Sequence, residues 1–293
     1  MPKYKIFIGK GGVGKSTCSS LCAVNSIPNY KKISLISMDP AHNLHDIFTT
    51  TLKSKPKQVF DNLWVGEANL PKKQKDYIKT IKNTIAGVYH YQQSLNLEKY
   101  YSILKYAPGT EEYASLMVLE EQFNDKSFDF HVIDTPPTAL TLKTLALPQV
   151  NLHWINALTD MRKEILEKKN TIAKIQKLNL AKIEDDQVYV RLQNMKRRYE
   201  NLNSLLSNTD ITELIVVLNE DELSLSETNL IKRQLDDIKL TISRIVINKS
   251  ENNKEWKIKI QNLFPNTPVD LVPLQKSSII GEESLKKLCN FVK

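Results

Sequence analysis

The chain has 293 residues, of which 41% are hydrophobic and 25% are charged, with only 8 glycines and 12 prolines. This composition is typical of a globular protein with a sizeable core, and it excludes collagen-like, disulfide-rich and low-complexity proteins. The 41 basic and 33 acidic residues give a formal net charge of +8. Because the lysines are spread along the chain, we expect a solvated surface and no nucleic-acid partner.

Seven short apolar runs that are rich in β-branched residues predict buried strands. Helical stretches separate these runs, and this alternation predicts an α/β fold in which helices flank a mainly parallel, twisted sheet. The predicted strands are residues 4–8, 33–38, 63–66, 128–133, 214–218, 242–247 and 269–272.

Two further segments are too long and too polar to be simple connections between strands. Residues 71–123 carry apolar side chains at helical spacing, with a predicted break at Pro108-Gly109. In residues 149–210, Leu158, Ile165 and Ile172 recur every seven residues, and a second apolar series follows a polar break at residues 184–186. We expect an antiparallel helical hairpin that buries its own seam, inserted into a core formed by residues 1–148 and 211–293.

Four of the eight glycines lie within six residues, directly after the first predicted strand. The string GKGGVGKST at residues 9–17 fits the phosphate-loop pattern G-x-x-x-x-G-K-[ST] and precedes a helical pattern. Glycines let backbone N–H groups face phosphates, Lys15 would reach the β- and γ-phosphates, and the Ser16 hydroxyl would ligate Mg²⁺. The sequence therefore predicts a P-loop NTPase. Its predicted nucleotide contacts in the loop are Gly9, Lys10, Gly11, Gly12, Val13, Gly14, Lys15, Ser16 and Thr17.

Later motifs resemble those of the arsenite-pump and tail-anchored-protein-targeting ATPase family. The first switch of that family, DPAHNLSDAF, is similar to MDPAHNLHDIF at residues 38–48, and its second switch, DTAPTGHTLR, is similar to DTPPTALTLK at residues 134–143. Three shorter segments resemble its EFLSLYET, IVVN and PGIDE elements: DELSLSET at 221–228, VIN at 246–248 and PGTEE at 108–112. These matches keep the family's order along nearly the whole chain, except in residues 149–210. The lysine at position 10 resembles the deviant KGGVGKS/T loop of dimeric P-loop ATPases.

The resemblance implies an ATPase that needs ATP and Mg²⁺ and closes as a homodimer around the nucleotide. The two switches would pass the nucleotide state to a protein client or a membrane receptor. The implied catalytic residues are Asp39, which would position the attacking water, Lys10, which would reach the partner subunit's nucleotide, and Lys15. Acidic residues directly after strands also suit Mg²⁺, so Ser16, Asp39 and Asp134 form the predicted metal site.

Some residues depart from the family pattern. Ala139-Leu140 stands where the family has Gly-His in the second switch. Asp221 stands where the family has a nucleotide-contacting glutamate, and Asn248 matches its adenine-side asparagine. The paired zinc-binding cysteines of many members are absent, so we expect no zinc clamp.

Three other functions are alternatives to this one. A nucleotide-gated adaptor with little turnover stays open because the second switch is altered. An arsenite-pump-driving ATPase is disfavoured, because arsenite needs clustered cysteines and two of the three, Cys18 and Cys22, lie on the helix after the phosphate loop. A partition-type ATPase is disfavoured because its first switch lacks the DPAHNL string.

The expected compartment follows from absent signals. Three cysteines form no disulfide framework, the N-terminus has no apolar segment suited to a signal peptide, and no uncharged apolar run approaches the roughly 20 residues of a membrane span. We therefore expect a cytoplasmic protein. Because the hairpin has narrow apolar stripes and only two methionines, Met161 and Met195, we expect a protein-docking or dimer-bridging arm rather than a groove for a transmembrane client.

Overall fold

A computed structural model describes residues 2–41, 43–88, 106–251 and 254–292. Within these residues eight strands form one sheet in the order β3-β4-β2-β5-β1-β6-β7-β8. The predicted α/β fold with a mainly parallel sheet is confirmed. The strands are β1 (Lys3–Ile8), β2 (Ile33–Ser37), β3 (Lys57–Phe60), β4 (Leu63–Glu67), β5 (Phe130–Asp134), β6 (Thr212–Asn219), β7 (Ile242–Ser250) and β8 (Val269–Pro273).

Helices flank the sheet and connect its strands. In the described part of the chain they are α1 (Lys15–Asn25), α2 (Asn43–Ile47), α3 (Leu70–Val88), α4 (Thr110–Asn124), α5 (Thr138–Ile175), α6 (Gln187–Ser207), α7 (Glu222–Asp237), α8 (Lys254–Leu263) and α9 (Gly281–Leu288). Two 3₁₀ turns, Ile183–Asp185 and Cys289–Phe291, precede α6 and follow α9.

All seven predicted strands are present, and β3 is the strand that the sequence analysis missed. It pairs antiparallel with β4 at the edge of the sheet, whereas the other neighbouring strands pair in parallel. Its sequence, KQVF, has no residue that is fully buried. A short, half-exposed edge strand needs no apolar run, so the periodicity that identified the other strands is absent here.

The central strands explain where a site can form. Every residue of β2 and of β5 is buried, and β5 lies between β2 and β1. In an open parallel sheet, ligands bind beyond the carboxyl ends of the central strands. The phosphate loop follows β1, the first switch follows β2 and the second switch follows β5, so the topology brings these three segments to one edge.

The segment from 71 to 123 contains two helices on either side of residues that lie outside the described part. Helix α3 ends at Val88 and α4 begins at Thr110, directly after Gly109, which has a left-handed backbone (φ 88°). The predicted break at Pro108-Gly109 is therefore confirmed. The two helices pack through the stacked rings of Tyr77 and Tyr113, whose centroids are 4.7 Å apart.

The described chain divides into two compact units. One comprises residues Met1–Thr144 and Ser207–Lys293 and contains the sheet, and the other is Leu145–Leu206. Helix α5 starts in the first unit and continues into the second, with Pro148 in its interior. The boundaries predicted for an inserted hairpin, 149–210, remain a prediction about how the protein is organised.

Within the second unit, the linker after α5 folds back along that helix. Asn170 exchanges two hydrogen bonds with the backbone of Ala181, and Arg162 binds Asp186 with two hydrogen bonds of 3.0 and 2.6 Å. The polar break predicted at residues 184–186 coincides with the 3₁₀ turn that precedes α6.

The expectation that the hairpin buries its own seam is wrong for α5, whereas Tyr199, Leu202 and Leu206 of the second apolar series, on α6, are buried. Leu158, Ile165 and Ile172 are 44%, 45% and 55% exposed. The buried residues of α5 in this unit are instead Leu145, Pro148, Ile155, Thr159, Leu166 and Ala173. The heptad spacing identified an apolar face correctly, but spacing alone does not say whether a neighbouring helix covers that face.

Candidate functional site

The phosphate loop lies between β1 and α1 in a conformation that depends on glycine. Gly14 is the residue before α1 and has φ 93°, a left-handed conformation that L side chains rarely adopt. A Cβ atom on Gly14 would lie 2.1 Å from Nδ2 of Asn248, and one on Gly9 would lie 2.4 Å from the carbonyl oxygen of Val217. Both positions therefore require close approach of the backbone to neighbouring strands.

Helix α1 begins without a side-chain cap. Its first backbone N–H groups have no partner within the helix, so they keep their hydrogen-bonding capacity for an anion at the loop. Lys15 starts this helix and is buried, and its Nζ donates to the carbonyl oxygen of Lys10 at 3.4 Å. A buried ammonium group beside a helix N-terminus is suited to a phosphate.

A cleft of about 590 Å³ opens beside the loop. The predicted site residues that line it are Gly12, Gly14, Lys15, Ser16, Thr17, Asp39 and Asn248. The structure thus brings the loop, the first switch and the end of β7 together around one space.

Ser16 lines this cleft and is hydrogen-bonded to Asp134, which is buried and does not line it. The Ser16 hydroxyl donates a hydrogen bond of 2.7 Å to Oδ2 of Asp134, whose side chain is fully buried. Burial raises the pKa of Asp134 to about 6, although the hydrogen bonds from Ser16 and Ser37 and the charge of Lys15 oppose that shift. Its other oxygen, Oδ1, has no hydrogen-bond partner among the described residues.

Ser37 joins Asp134 to the first switch. Its hydroxyl donates to Oδ2 of Asp134 at 2.9 Å and accepts the N–H of Asp39 at 3.1 Å. Asp39 in turn accepts the N–H of Ala41 at 3.0 Å, which forms a local turn after β2. The two predicted acids therefore lie on one hydrogen-bonded network with the phosphate-loop serine.

Asn248 and Lys249 hold the loop from the side of β7. Nδ2 of Asn248 donates to the carbonyl oxygen of Val13 at 2.7 Å, and Nζ of Lys249 donates to that of Gly12 at 3.2 Å. Both residues also line the cleft. Asn248 thus supports the loop in addition to facing the cleft, which leaves its predicted nucleotide contact untested.

The predicted site residues that do not line this cleft are Gly9, Lys10, Gly11, Val13, Asp134 and Asp221. Lys10 is half-buried and does not line it. Asp221 precedes α7 and accepts hydrogen bonds from the N–H and hydroxyl of Ser224, which are the bonds of a helix N-cap. These bonds and the charge of Lys10 hold the pKa of Asp221 below its usual range. Its predicted nucleotide contact therefore remains a prediction.

The second switch is tied to both the sheet and α7. The hydroxyl of Thr135 donates to the carbonyl oxygen of Phe7 at 2.6 Å, and that of Thr138 donates to Oε1 of Glu227 at 2.7 Å. Thr138 is also the first residue of α5. A change at Asp134 can therefore reach the start of α5, at Thr138, through three intervening positions.

Sequence reasoning missed part of the cleft wall. Asn43, Asp46 and Ile47 of α2 line it, as does a stretch from Pro273 to Ile280 after β8. Helix α2 is anchored where the N–H of His45 donates to the buried Glu67 carboxylate at 2.9 Å. The stretch after β8 carries no recognised motif, and only its position at the carboxyl end of a strand could have identified it.

The described residues contain no group of three or more His, Cys, Asp or Glu side chains arranged to hold a metal ion. None of the described helices is both long enough and apolar enough to cross a membrane.

Comparison with known proteins gives matches along the whole chain. A profile of the family described as anion-transporting ATPase matches residues 2–293. An ATPase ASNA1 homologue of Paramecium tetraurelia is 28% identical over 308 residues, which cover 98% of this chain and 91% of that protein. The ATPase get3 of Schizosaccharomyces pombe is 27% identical over 305 residues, covering 96% and 88%. A protein of Aquifex aeolicus, by its name an arsenical pump-driving ATPase, is 27% identical over 302 residues, covering 98% and 97%.

Proposed function

The chain belongs to the anion-transporting ATPase family, and we propose that it acts as a homodimer in which Mg²⁺-dependent ATP hydrolysis controls the binding of a protein client. The family resemblance predicted from the motifs is confirmed, and with it the prediction of an ATPase. The hydrogen bond between Ser16, which lines the cleft, and the buried Asp134 carries the proposal most directly. It joins the last part of the phosphate loop to the first residue of the second switch.

The nucleotide would bind with its phosphates on the loop. The uncapped N-terminus of α1 and the buried ammonium group of Lys15 supply positive charge there. The base would lie toward Asn248 and the stretch from Pro273 to Ile280, because these residues line the same cleft.

Mg²⁺ fits the pair formed by Ser16, which lines the cleft, and Asp134, which is hydrogen-bonded to it. Asp134 has one carboxylate oxygen on the Ser16 hydroxyl and a second oxygen that is buried without a partner among the described residues. Mg²⁺ binds through few protein ligands and keeps several waters, so a larger acidic cluster is not required. When bound, the ion would neutralise charge that develops on the phosphates, with Ser16 as direct ligand and Asp134 holding a ligated water.

Asp39 would position the attacking water. It is half-buried, lines the cleft, and one of its carboxylate oxygens accepts the Ala41 N–H. A carboxylate held at the mouth of the cleft can accept a proton from water as that water approaches the γ-phosphate. This residue is also a predicted metal ligand, and the two roles are separated by the experiment below.

A homodimer would complete the site through Lys10. This side chain does not line the cleft of its own chain, so a role in catalysis requires that it reach another nucleotide. A lysine supplied by a partner subunit would stabilise transition-state charge as an arginine finger does. An isologous dimer would place two such lysines in two equivalent sites.

The link to a client runs through the second switch and α5. This helix starts four residues after Asp134 and extends to Ile175, where its exposed face carries an apolar stripe. We define the stripe as Trp154, Leu158, Met161, Ile165 and Ile172, all of which are exposed. Exposed apolar residues that recur at helical spacing are typical of a protein-binding surface. In place of the expected protein-docking or dimer-bridging arm, this helix would therefore provide a client-binding surface.

A second candidate function comes from the Aquifex relative, whose name indicates a role in driving an arsenical pump. Arsenite would need accessible thiol groups, but Cys18 and Cys22 are completely buried in the core around α1. Burial raises the pKa of both thiols, to about 11 for Cys22. Thiols in that state are poor ligands at neutral pH, so the client function is favoured.

Turnover measurements test the proposal and separate it from a nucleotide-gated adaptor. We expect phosphate release from ATP that needs Mg²⁺, and we expect Lys15→Ala to abolish ATP binding. Asp39→Asn should retain Mg²⁺-dependent ATP binding and slow hydrolysis by at least about a hundredfold, because the amide can still accept the Ala41 N–H but cannot accept a proton.

The outcomes are distinguishable. Wild-type protein that binds ATP without releasing phosphate would favour the adaptor, and normal turnover of Asp39→Asn would remove Asp39 from the mechanism. Loss of Mg²⁺-dependent binding in Asp39→Asn would instead indicate that this residue is a metal ligand.

A further inference from the structure

The linker end of the second unit has an unusual charge pattern. Residues 168–182, which we call the tip, contain five lysines and no acidic residue, although acidic residues flank them at Glu167 and Glu184. All five lysines are exposed: Lys168, Lys169, Lys174, Lys177 and Lys182. The tip is therefore a local cationic surface on a protein whose charges are otherwise mixed.

Large apolar side chains stand exposed among these lysines. Ile175, at the end of α5, is 78% exposed, and Leu178 and Leu180 in the following linker are 61% and 50% exposed. These three residues, which we call the wedge, are distinct from the stripe proposed for the client. The exposure of aliphatic side chains to water is unfavourable. Their position among lysines indicates a binding surface that is anionic on the outside and apolar underneath.

The tip is held in this conformation by hydrogen bonds. The Asn170 side chain donates to the carbonyl oxygen of Ala181 at 2.9 Å and accepts its N–H at 2.8 Å. Lys177 has a left-handed backbone with φ 55°, and the next residue, Leu178, donates its N–H to the carbonyl oxygen of Ala173 at 2.8 Å. The backbone bonds that end α5 thus turn the chain and leave Leu178 and Leu180 in solvent. The wedge is therefore exposed on a turn that hydrogen bonds hold in place.

We propose that the tip docks onto an anionic lipid surface. The wedge would enter the boundary between headgroups and acyl chains, and the lysines would lie at the level of the headgroups with their aliphatic stems along the wedge. Charge complementarity selects this occupant over a second copy of the chain, because two tips of like charge repel each other. It also selects lipid over an apolar client helix, which offers no row of negative charges to five lysines.

Membrane attachment at the tip needs no ATP hydrolysis, so its test is independent of the proposed function. Full-length protein would be centrifuged with vesicles of phosphatidylcholine alone and with vesicles that contain about 30% phosphatidylserine. We expect binding to the anionic vesicles only, and a large decrease in 0.5 M NaCl, because surface charges are screened at that ionic strength.

Two double variants separate the contributions of charge and of the wedge. Lys174→Gln with Lys177→Gln should weaken binding to anionic vesicles by about thirtyfold, which is about fivefold for each lysine near the surface. Ile175→Ser with Leu178→Ser should weaken it by tenfold or more, because apolar side chains of this size drive insertion. The matched control is Lys257→Gln with Ile258→Ser, which removes an exposed lysine and an exposed isoleucine from α8 and should change nothing.

A second readout reports insertion directly. A polarity-sensitive fluorophore attached in Leu178→Cys, on a Cys289→Ser background, should shift to the blue with anionic vesicles and not with neutral ones. Equal binding to neutral vesicles, unchanged binding of both tip variants, or loss of binding in the control variant would each overturn the proposal. Tip variants that no longer bind an apolar peptide but still bind the anionic vesicles would also overturn the proposal.

Discussion

The hydroxyl of Ser37 lies 2.9 Å from Oδ2 of Asp134 and donates a hydrogen bond to it. Through its acceptor side the same hydroxyl holds the N–H of Asp39 at 3.1 Å. One residue that belongs to neither switch motif thus connects the acids that follow two neighbouring strands. A movement of Asp134 relative to the phosphate loop would therefore displace the start of the first switch.

We predict that Ser37→Ala lowers the kcat for ATP by about tenfold or more, because hydrogen bonds to a charged group contribute about 1.5–3 kcal/mol. The affinity for ATP should change little, since Ser37 does not line the cleft. The matched control is Ser34→Ala on the same strand, whose buried hydroxyl has no hydrogen-bond partner among the described residues. Steady-state phosphate release measures the kcat of both variants. Equal kcat values for Ser37→Ala and Ser34→Ala would contradict a role of Ser37 in turnover.

Ser37 also illustrates what the sequence could predict. The glycine pattern and the acids at strand ends were sufficient to predict Gly14, Ser16 and Asp39 around one cleft, with Asp134 hydrogen-bonded to Ser16, because parallel strands end at a common edge. Ser37 is the last residue of a buried strand, and nothing in its type or spacing distinguishes it from a structural serine such as Ser34. Its role depends on a distance across two strands that no local pattern encodes.

The same limit applies to the fold. Buried strands have continuous apolar runs and were all predicted, whereas β3 has exposed residues at half of its positions and was missed. The heptad spacing of Leu158, Ile165 and Ile172 predicted a helix correctly, but the burial of that face depends on what packs against it. Periodicity identifies an amphipathic face, and only tertiary structure identifies its partner.

Lys10 gives a prediction about the assembly. Lys10→Ala should lower turnover by about a thousandfold, because residues that complete a phosphoryl-transfer site in trans contribute at that level. Mixing this variant with Asp39→Asn should restore activity, since each mixed dimer contains one site with an intact Asp39 and an intact Lys10 from the other chain. Random pairing makes half of the dimers mixed with one active site each, so about a quarter of the wild-type sites should recover.

The control for that mixture replaces Asp39→Asn by the double variant that also carries Lys10→Ala, which should restore nothing. Recovery in the control, or full turnover of Lys10→Ala alone, would contradict the role of Lys10 in trans. Absence of recovery in the first mixture would indicate that Lys10 acts within its own chain.

His131 gives a prediction about stability and pH. This side chain is fully buried on β5, and burial lowers its pKa to about 4, against 6.5 for an exposed histidine. Between these values the unfolded chain binds a proton that the folded chain does not, so this residue makes the folded state progressively less stable as the pH falls from about 6.5 to 4. The full effect is about 3 kcal/mol, at about 1.4 kcal/mol for each pH unit.

Asp134 acts with the opposite sign over part of this range. Its raised pKa of about 6 means that the folded chain binds a proton first, so acidification stabilises the folded state between about pH 6 and 4. In the wild-type protein the contributions of His131 and Asp134 to the pH dependence of stability therefore partly cancel. The informative quantity is the difference in the free energy of unfolding between wild type and His131→Asn, measured by urea at pH 7.5 and pH 5.

We expect His131→Asn to be less stable than wild type at pH 7.5, because it loses packing against Tyr4, and to lose less stability on acidification. The matched control is His153→Asn, since His153 is exposed and its replacement should leave the pH dependence unchanged. An identical pH dependence in His131→Asn and wild type would contradict the assignment of a buried neutral imidazole.

The final prediction concerns the stripe on α5. Met161→Ser with Ile165→Ser should reduce capture of a 20-residue apolar helical peptide by at least about tenfold, because each buried aliphatic side chain contributes about 1.5–3 kcal/mol. Turnover of ATP without peptide should stay within twofold of wild type, since neither residue lines the cleft. Crosslinking of the peptide to the full-length protein in detergent measures capture. Because this reaction contains no vesicles, it also separates the stripe from the tip.

The matched control for the stripe is Leu230→Ser with Ile258→Ser, which removes two exposed aliphatic residues from α7 and α8. If the stripe binds the client, only the α5 variant loses the peptide, and peptide should change ATP turnover in the control protein as it does in wild type. If both double variants capture the peptide as well as wild type does, the stripe is not the client surface. The client would then have to bind elsewhere, and deletion of residues 149–210 with a Gly-Ser joint should leave its capture intact.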